Sequence, residues 1–251
     1  MDIWTFLIVC PLVGLAGFID AIAGGGGLIS LPAYLIAGLP PHAAIGTNKF
    51  GSCCGTVVAT WQFARHGFIR WKQAVPAVAL ALVGSWLGAR LALMVDPGTF
   101  KIIMLIILPL TGVYVLNKKA LQASNPPYSV RRTMLIVALL SFVIGVYDGF
   151  YGPGTGTFLM LLLTAVAHVS LNEAAGLTKV INLSTNVAAL VVFLTHGGVW
   201  MPLALAAAAF SVVGNYMGAK YFVSKGTGFV KPVIIIVLSL FFVKLCYELF
   251  I

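Results

Sequence analysis

Charge is what this sequence has least of. Of its 251 residues only 8% are Asp, Glu, Lys or Arg, while 61% are Ala, Val, Ile, Leu, Met, Phe, Trp, Tyr or Cys, and mean hydropathy is +1.05. A soluble domain carries about 25% charged and about 45–50% apolar residues. This chain therefore cannot make a water-facing surface, and a soluble fold is excluded. Acidic residues are scarcer still, six against fifteen Lys and Arg, for a formal charge of +9. In a soluble protein that excess would point to nucleic acid. Here the basic residues stand at the ends of apolar runs and in short loops, where they orient a membrane protein, so no nucleic-acid partner is expected. Cysteine is confined to Cys10, Cys53, Cys54 and Cys246, all in apolar stretches, and the vicinal pair is badly placed to bridge itself. No disulfide framework follows. Also missing are GxxxxGK followed by Ser or Thr, HExxH and CxxC. No enzyme, cofactor or metal site is read from the chain.

Long apolar runs are what the sequence does have. They fall at 3–23, 27–39, 43–64, 74–94, 99–117, 132–151, 155–168, 174–195, 200–222 and 230–250. Most approach the about 20 residues that cross a bilayer, and the second and seventh are short. The expected fold class is an all-α integral membrane protein in a lipid bilayer. Met1–Leu15 is apolar but lacks the positive region of a cleaved signal, and reads as the first helix. The most polar stretch, Lys118–Arg132, holds Asn125, Pro126 and Pro127 and divides the chain near its middle. The expected organisation is a first transmembrane repeat over 1–117, a cytoplasmic linker over 118–131 and a second repeat over 132–251.

The halves repeat each other. Gly17-Phe-Ile-Asp20 matches Gly145-Val-Tyr-Asp148 at a displacement of 128, which also lays Gly24–Gly27 on Gly152-Pro-Gly-Thr155. After two extra residues the displacement is 130. Gly46, Lys49, Phe63, His66 and Gly67 then fall on Gly176, Lys179, Phe193, His196 and Gly197, and Gly84-Ser-Trp-Leu-Gly88 falls on Gly214-Asn-Tyr-Met-Gly218. Such a run of identities in one order indicates an internal duplication of about five segments per half. An odd number inverts the second half, and the charges agree. Arg65, Arg70 and Lys72 follow the third segment, whereas the matched loop at His196–Trp200 has no Lys or Arg. The positive-inside rule places 65–72, 118–132 and 223–231 in the cytoplasm, with both termini outside. Inverted repeats are common in secondary transporters, whose substrate sits between the repeats near the bilayer midplane. Energy would then come from an ion gradient, the membrane potential or the substrate gradient.

Candidate functional residues lie where both halves depart from apolar helix. Asp20 precedes Gly24, Gly25, Gly26 and Gly27, and Asp148 precedes Gly149, Gly152, Pro153, Gly154 and Gly156. Glycine at that density predicts broken helices, which a membrane tolerates only where the backbone is buried in protein or lines a cavity. The short helices that follow would present free N–H groups and a positive dipole end to an anion. The pairs Gly84/Gly88 and Gly214/Gly218 read instead as close helix contacts. The third segment of each half carries a polar stripe: Lys49, Ser52 and Thr56 on one face, and Lys179, Asn182 and Asn186 at matched positions. Asn48 and Thr178 flank the lysines. A central membrane lysine costs about 2.5–3.5 kcal/mol on insertion scales, so it calls for a partner or an aqueous cavity. The two lysines either snorkel to the interface or supply positive charge to an anion. Asp20 and Asp148 either pair with the lysines or take up protons during transport. His66 and His196 read as interfacial groups, Trp71 and Trp200 as anchors, and Tyr151 and Trp61 as weaker candidates for the pathway.

At these elements the sequence resembles the sulfite exporter TauE/SafE family, also called the toluenesulfonate uptake permease family. GFIDAIAGGGGLISLPAYL and AAIGTNKFGSCCGT carry the resemblance in the first half, GVYDGFYGPGTGTFL and AAGLTKVINLSTN in the second. It extends over essentially the whole chain. It implies a transporter in the plasma (inner) membrane of a prokaryote that moves small sulfur-containing anions: sulfite, organosulfonates such as sulfoacetate, or thiosulfate. The substrate-binding set expected is Gly24, Gly25, Gly26, Gly27, Asn48, Lys49, Ser52, Gly152, Gly154, Gly156, Lys179 and Asn182, with Asp20 and Asp148 as proton-coupling candidates. A homo-oligomer remains open. A passive anion channel is the alternative. An intramembrane aspartyl protease is a remote one, since neither aspartate follows the Gly-x-Gly such an enzyme needs.

Overall fold

The computed structural model describes residues 3–96 and 128–225, together with Thr99 and Pro232. The apolar runs at 99–117 and 230–250 and nearly all of the linker lie outside these described residues. Within them the chain forms α1 (Ile3–Ala23), α2 (Gly27–Ile36), α3 (Pro41–Arg65), α4 (Trp71–Met94), α5 (Val130–Phe150), α6 (Thr155–Ala165), α7 (Leu171–Thr195) and α8 (Met201–Lys225), with no strand among the described residues. Five of these, α1, α4, α5, α7 and α8, are long and apolar enough to cross a membrane. Helix α3 equals α7 at 25 residues but is made less apolar by its polar stripe. Helices α2 and α6 have 10 and 11 residues. At 1.5 Å per residue they reach about half-way across a ~30 Å hydrocarbon core. Helices α4 and α7 start about a turn before their apolar runs, because Lys72-Gln73 and Asn172-Glu173 form polar first turns that hydropathy does not register.

The halves interlock. Helix α4 lies along α5 and on α7, and α8 lies along α1 and on α3, so the fourth helix of each half covers the first and third of the other. Small residues permit the approach: a Cβ at Gly88 would stand 2.8 Å from Phe150 N, and one at Gly218 2.8 Å from Ala21 Cβ. The glycine pairs read as contact sites thus sit where helices approach closely. The matched third helices run antiparallel. Glu173, in the first turn of α7, pairs with Arg70 just past the end of α3. At the opposite end Trp200 N, past the end of α7, donates to Thr47 Oγ1 at 3.0 Å.

Both third helices end in the same way. His66 and His196 are C-caps followed by Gly67 (φ +74°) and Gly197 (φ +68°). Phe68 N donates to Phe63 O at 3.1 Å and Gly198 N to Phe193 O at 2.8 Å, the long bond of a Schellman turn that satisfies an orphan carbonyl. Each histidine adds a bond through Nδ1, to Gln62 O at 2.7 Å and to Val192 O at 2.8 Å. The repeated His-Gly is a helix-ending device.

The polarity of the molecule is that of a membrane protein. Ile3, Leu7, Val75, Val83, Leu139, Val143 and Val213 point outward and are more than half or about half exposed, while Lys49, Lys179, Asp148, Asn186 and Thr185 are buried. In water such a surface would associate; against lipid it needs no cover.

Candidate functional site

The backbone breaks after Asp20 and Asp148 meet each other. Gly24 turns with φ +76° and Gly154 with φ +83°, a region that residues with a Cβ rarely adopt. Gly24 and Gly156 then touch backbone to backbone: a Cβ on Gly156 would lie 2.5 Å from Gly24 Cα. Thr157 ties the two breaks together, its N–H donating to Gly24 O at 3.2 Å and its hydroxyl to Ala23 O at 2.9 Å. The starts of α2 and α6 are thereby held side by side.

The lysines are buried, Lys49 at 2% exposure and Lys179 at 0%, about two turns into α3 and α7. Neither ammonium is open to the outside of the fold. Each meets the aspartate of the opposite half. Lys49 Nζ donates to Asp148 Oδ2 at 2.6 Å, and Thr155 Oγ1 donates to Asp148 Oδ1 at 2.6 Å, so this carboxylate is gripped at both oxygens. Lys179 Nζ donates instead to the backbone oxygen of Asp20 and stands 3.6 Å from its Oδ2. The other Asp20 oxygen accepts a long bond from Gly26 N at 3.4 Å. Pairing with lysine, one of two readings open for the aspartates, is what the geometry contains. Each ammonium already has a counter-charge, so an anion must replace or share a carboxylate to use it.

Between these groups lies a cavity of about 20 Å³, room for about one water molecule. Asp20, Asp148 and Lys49 line it, along with the breaks at Gly24, Gly27, Gly152 and Gly156 and the stripe residues Asn48, Ser52 and Asn182. Gly26 faces a second small cavity on the α1 side. Gly154 packs on Phe158 and Leu28, and Gly25 accepts from Leu28 N in the first turn of α2. Lys179 sits behind Asp20 and is not part of the lining. Thr155 and Asn186 also line the central cavity and were not in the expected binding set. Asn186 was legible as the third member of its stripe, whereas Thr155 falls on Gly27 in the repeat and carried no signal. Trp61, considered for the pathway, is 49% exposed on the outer face under Arg65.

Over residues 9–245 the sequence matches the family described as Sulfite exporter TauE/SafE. It is 36% identical to a probable membrane transporter protein, ORF9, of Sinorhizobium sp over 93% of this chain and 88% of that one. A probable membrane transporter protein of Haemophilus influenzae is 34% identical over 93% of this chain and 91% of its own. The probable membrane transporter protein YfcA of Escherichia coli K12 is 33% identical over 93% and 87%. No solved structure matches. With five apolar spans and this site at its centre, the chain is a multi-pass membrane transporter and belongs to the sulfite exporter TauE/SafE family.

Proposed function

We propose that the protein carries small sulfur-containing anions, sulfite or small organosulfonates such as sulfoacetate, or thiosulfate, across the plasma membrane of a bacterium by alternating access. The observation that carries this reading is the pair of lysine–aspartate bridges that cross between the halves beside two abutting helix N-termini. Helix N-termini and ammonium groups favour an anion. Lysine is a point charge that holds an oxyanion without the bidentate grip of arginine, which suits release on the far side.

The bridges suggest the coupling. A proton delivered to Asp148 removes the counter-charge of Lys49, and the anion then takes the carboxylate's place. Cation and anion enter the low-dielectric centre together, so no uncompensated charge is carried through it. Inversion of the halves, with 65–72 inside and 195–201 outside, fits the antiparallel α3 and α7 and would let the same bridges open to either face. The central cavity, sized for a single water, favours a carrier that must rearrange over an open channel. The shared proton of an aspartyl protease dyad has no counterpart where each carboxylate faces its own lysine.

Flux into proteoliposomes tests this, measured for sulfite, sulfate, thiosulfate, sulfoacetate, chloride and acetate, with and without a pH gradient. Saturable uptake of sulfur anions is expected, driven by the gradient. Preference for cations or neutral solutes would overturn the substrate class; anion flux indifferent to pH would remove the proton alone.

A further inference from the structure

The two halves differ at one place where the repeat should make them alike. Beside Asp20, between α1, α3 and α8, lies a second cavity of about 20 Å³ lined by Ser30, Asn48, Thr56, Ser211 and Asn215. At the matched positions around Asp148 stand Phe158 for Ser30, Ala81 for Ser211 and Ser85 for Asn215. Phe158 packs edge-on against Tyr147 at 5.5 Å, and Ser85 donates to Thr185 O at 2.6 Å. Besides the central cavity that both carboxylates line, further polar-lined space occurs on the Asp20 side, where the carboxylate is 15% exposed; the Asp148 carboxylate is 2% exposed.

Two hydroxyls and one amide of that lining give their hydrogens to other groups. The Ser30 hydroxyl donates to Asn48 Oδ1 at 2.6 Å, and the Thr56 hydroxyl donates to Ser52 O at 2.6 Å. The Asn215 amide donates to Ser211 O at 3.0 Å. A carbonyl can only accept, so this bond orients the Asn215 amide and leaves its Oδ1, buried on a residue 2% exposed, without a hydrogen-bond partner. An unpaired buried acceptor is unfavourable, which calls for a ligand that accepts its lone pairs. The nearest cation, Lys179, gives its bond to the Asp20 backbone and stays 3.6 Å from the carboxylate.

We infer that this cavity is a sodium site, with the Asp20 carboxylate, Asn215 Oδ1 and the Ser30 and Thr56 hydroxyl oxygens as its donors. Oxygen-only donors around one carboxylate suit a hard cation. The volume admits one dehydrated alkali cation, and a carboxylate, a hard and strong-field donor, favours the smaller sodium over potassium. No three His, Cys, Asp or Glu side chains converge among the described residues, which leaves no softer-metal alternative there. Sodium on Asp20 would neutralise the partner of Lys179 and release that ammonium towards the anion. This role rests on the transport reading; binding of the cation does not.

The test is the unfolding temperature of the purified full-length protein, free of sulfur anions, in NaCl, KCl or choline chloride at equal ionic strength. Sodium alone should raise it saturably, because a ligand that binds only the folded state stabilises it. Asn215→Leu and the milder Asn215→Ser should each lose the sodium-specific shift, and Asp20→Asn should lose it too. Equal shifts in NaCl and KCl, no shift at all, or a shift kept in both Asn215 variants would overturn the sodium site. Sulfite flux that persists without any sodium effect would overturn this inference and spare the transport reading. Sodium-specific stabilisation with no flux of any sulfur anion would support the site and sink the substrate instead.

Discussion

Asp148 and Asp20 occupy matched positions in the two halves, yet one is locked and the other is loosely held. Asp148 is fully buried with Lys49 and Thr155 each at 2.6 Å. Asp20 has its lysine at 3.6 Å and an amide at 3.4 Å, and lines a second polar cavity besides the central one that both carboxylates share. The difference does not come from the lysines, equally buried on antiparallel helices, but from what surrounds each carboxylate. Thr155, against Gly27 in the first half, supplies a hydroxyl to Asp148, while Phe158, against Ser30, fills the space beside it. Two halves that share a residue pattern can thus keep their charges in register and still surround them differently, through neighbours that sequence identity does not mark.

Breaking the bridges should separate the halves most sharply. Lys49→Met leaves Asp148 buried and unpaired and should cost about 3–5 kcal/mol. Lys179→Met removes a charged hydrogen bond beside a partly open carboxylate and should cost about 1.5–3 kcal/mol. Unfolding in detergent reads both, and both variants should lose sulfite uptake. Pairing Lys49→Met with Asp148→Asn should restore stability without restoring uptake. Equal losses in the two single variants would erase the distinction between locked and loose.

Next in size is the contact between the breaks. Gly24→Ala puts a Cβ at positive φ and against the Gly156 backbone, so a loss of about 1–3 kcal/mol of the overpacking kind is expected, with uptake falling further than folded yield. Wild-type stability would show that the two breaks can separate at no cost. A smaller effect should follow from making the halves alike. Ser30→Phe, which copies Phe158, should fill the cavity beside Asp20 and slow uptake several-fold while Lys49 and Asp148 stay paired; unchanged initial rates would deny that cavity a part in transport. The least perturbing test concerns sidedness. Arg65 and Thr195 are matched, exposed helix ends. In a background without Cys10, Cys53, Cys54 and Cys246, Arg65→Cys should resist an impermeant maleimide on intact cells, and Thr195→Cys should react. Equal labelling would refute the inversion.

Much of this was legible one residue after another. Run lengths marked α1 and the later spans; Gly24 and Gly154 marked the breaks; Lys49 and Lys179 stood out because a charge at the same place in both halves of an apolar chain is costly to keep. Polar first turns such as Lys72-Gln73 were missed because hydropathy weighs composition and not backbone hydrogen bonds. The capping role of His66 and His196 was not legible, because a Schellman turn depends on the φ of the following glycine and on a carbonyl several residues back. The second cavity was out of reach, since Ser30, Thr56 and Asn215 come from α2, α3 and α8 and no local pattern joins them.

The sequence by itself determined that the chain lives in a membrane and where its helices break, because each of these follows from transfer energies and backbone freedom within a few neighbouring residues. Only the tertiary structure decided that Lys49 answers to Asp148, 99 positions away, and Lys179 to Asp20, 159 positions away. Those choices depend on how α4 and α8 interlock the halves. A buried charge takes whichever opposite charge the packing brings to it, and packing across such separations is a property of the whole assembly of helices.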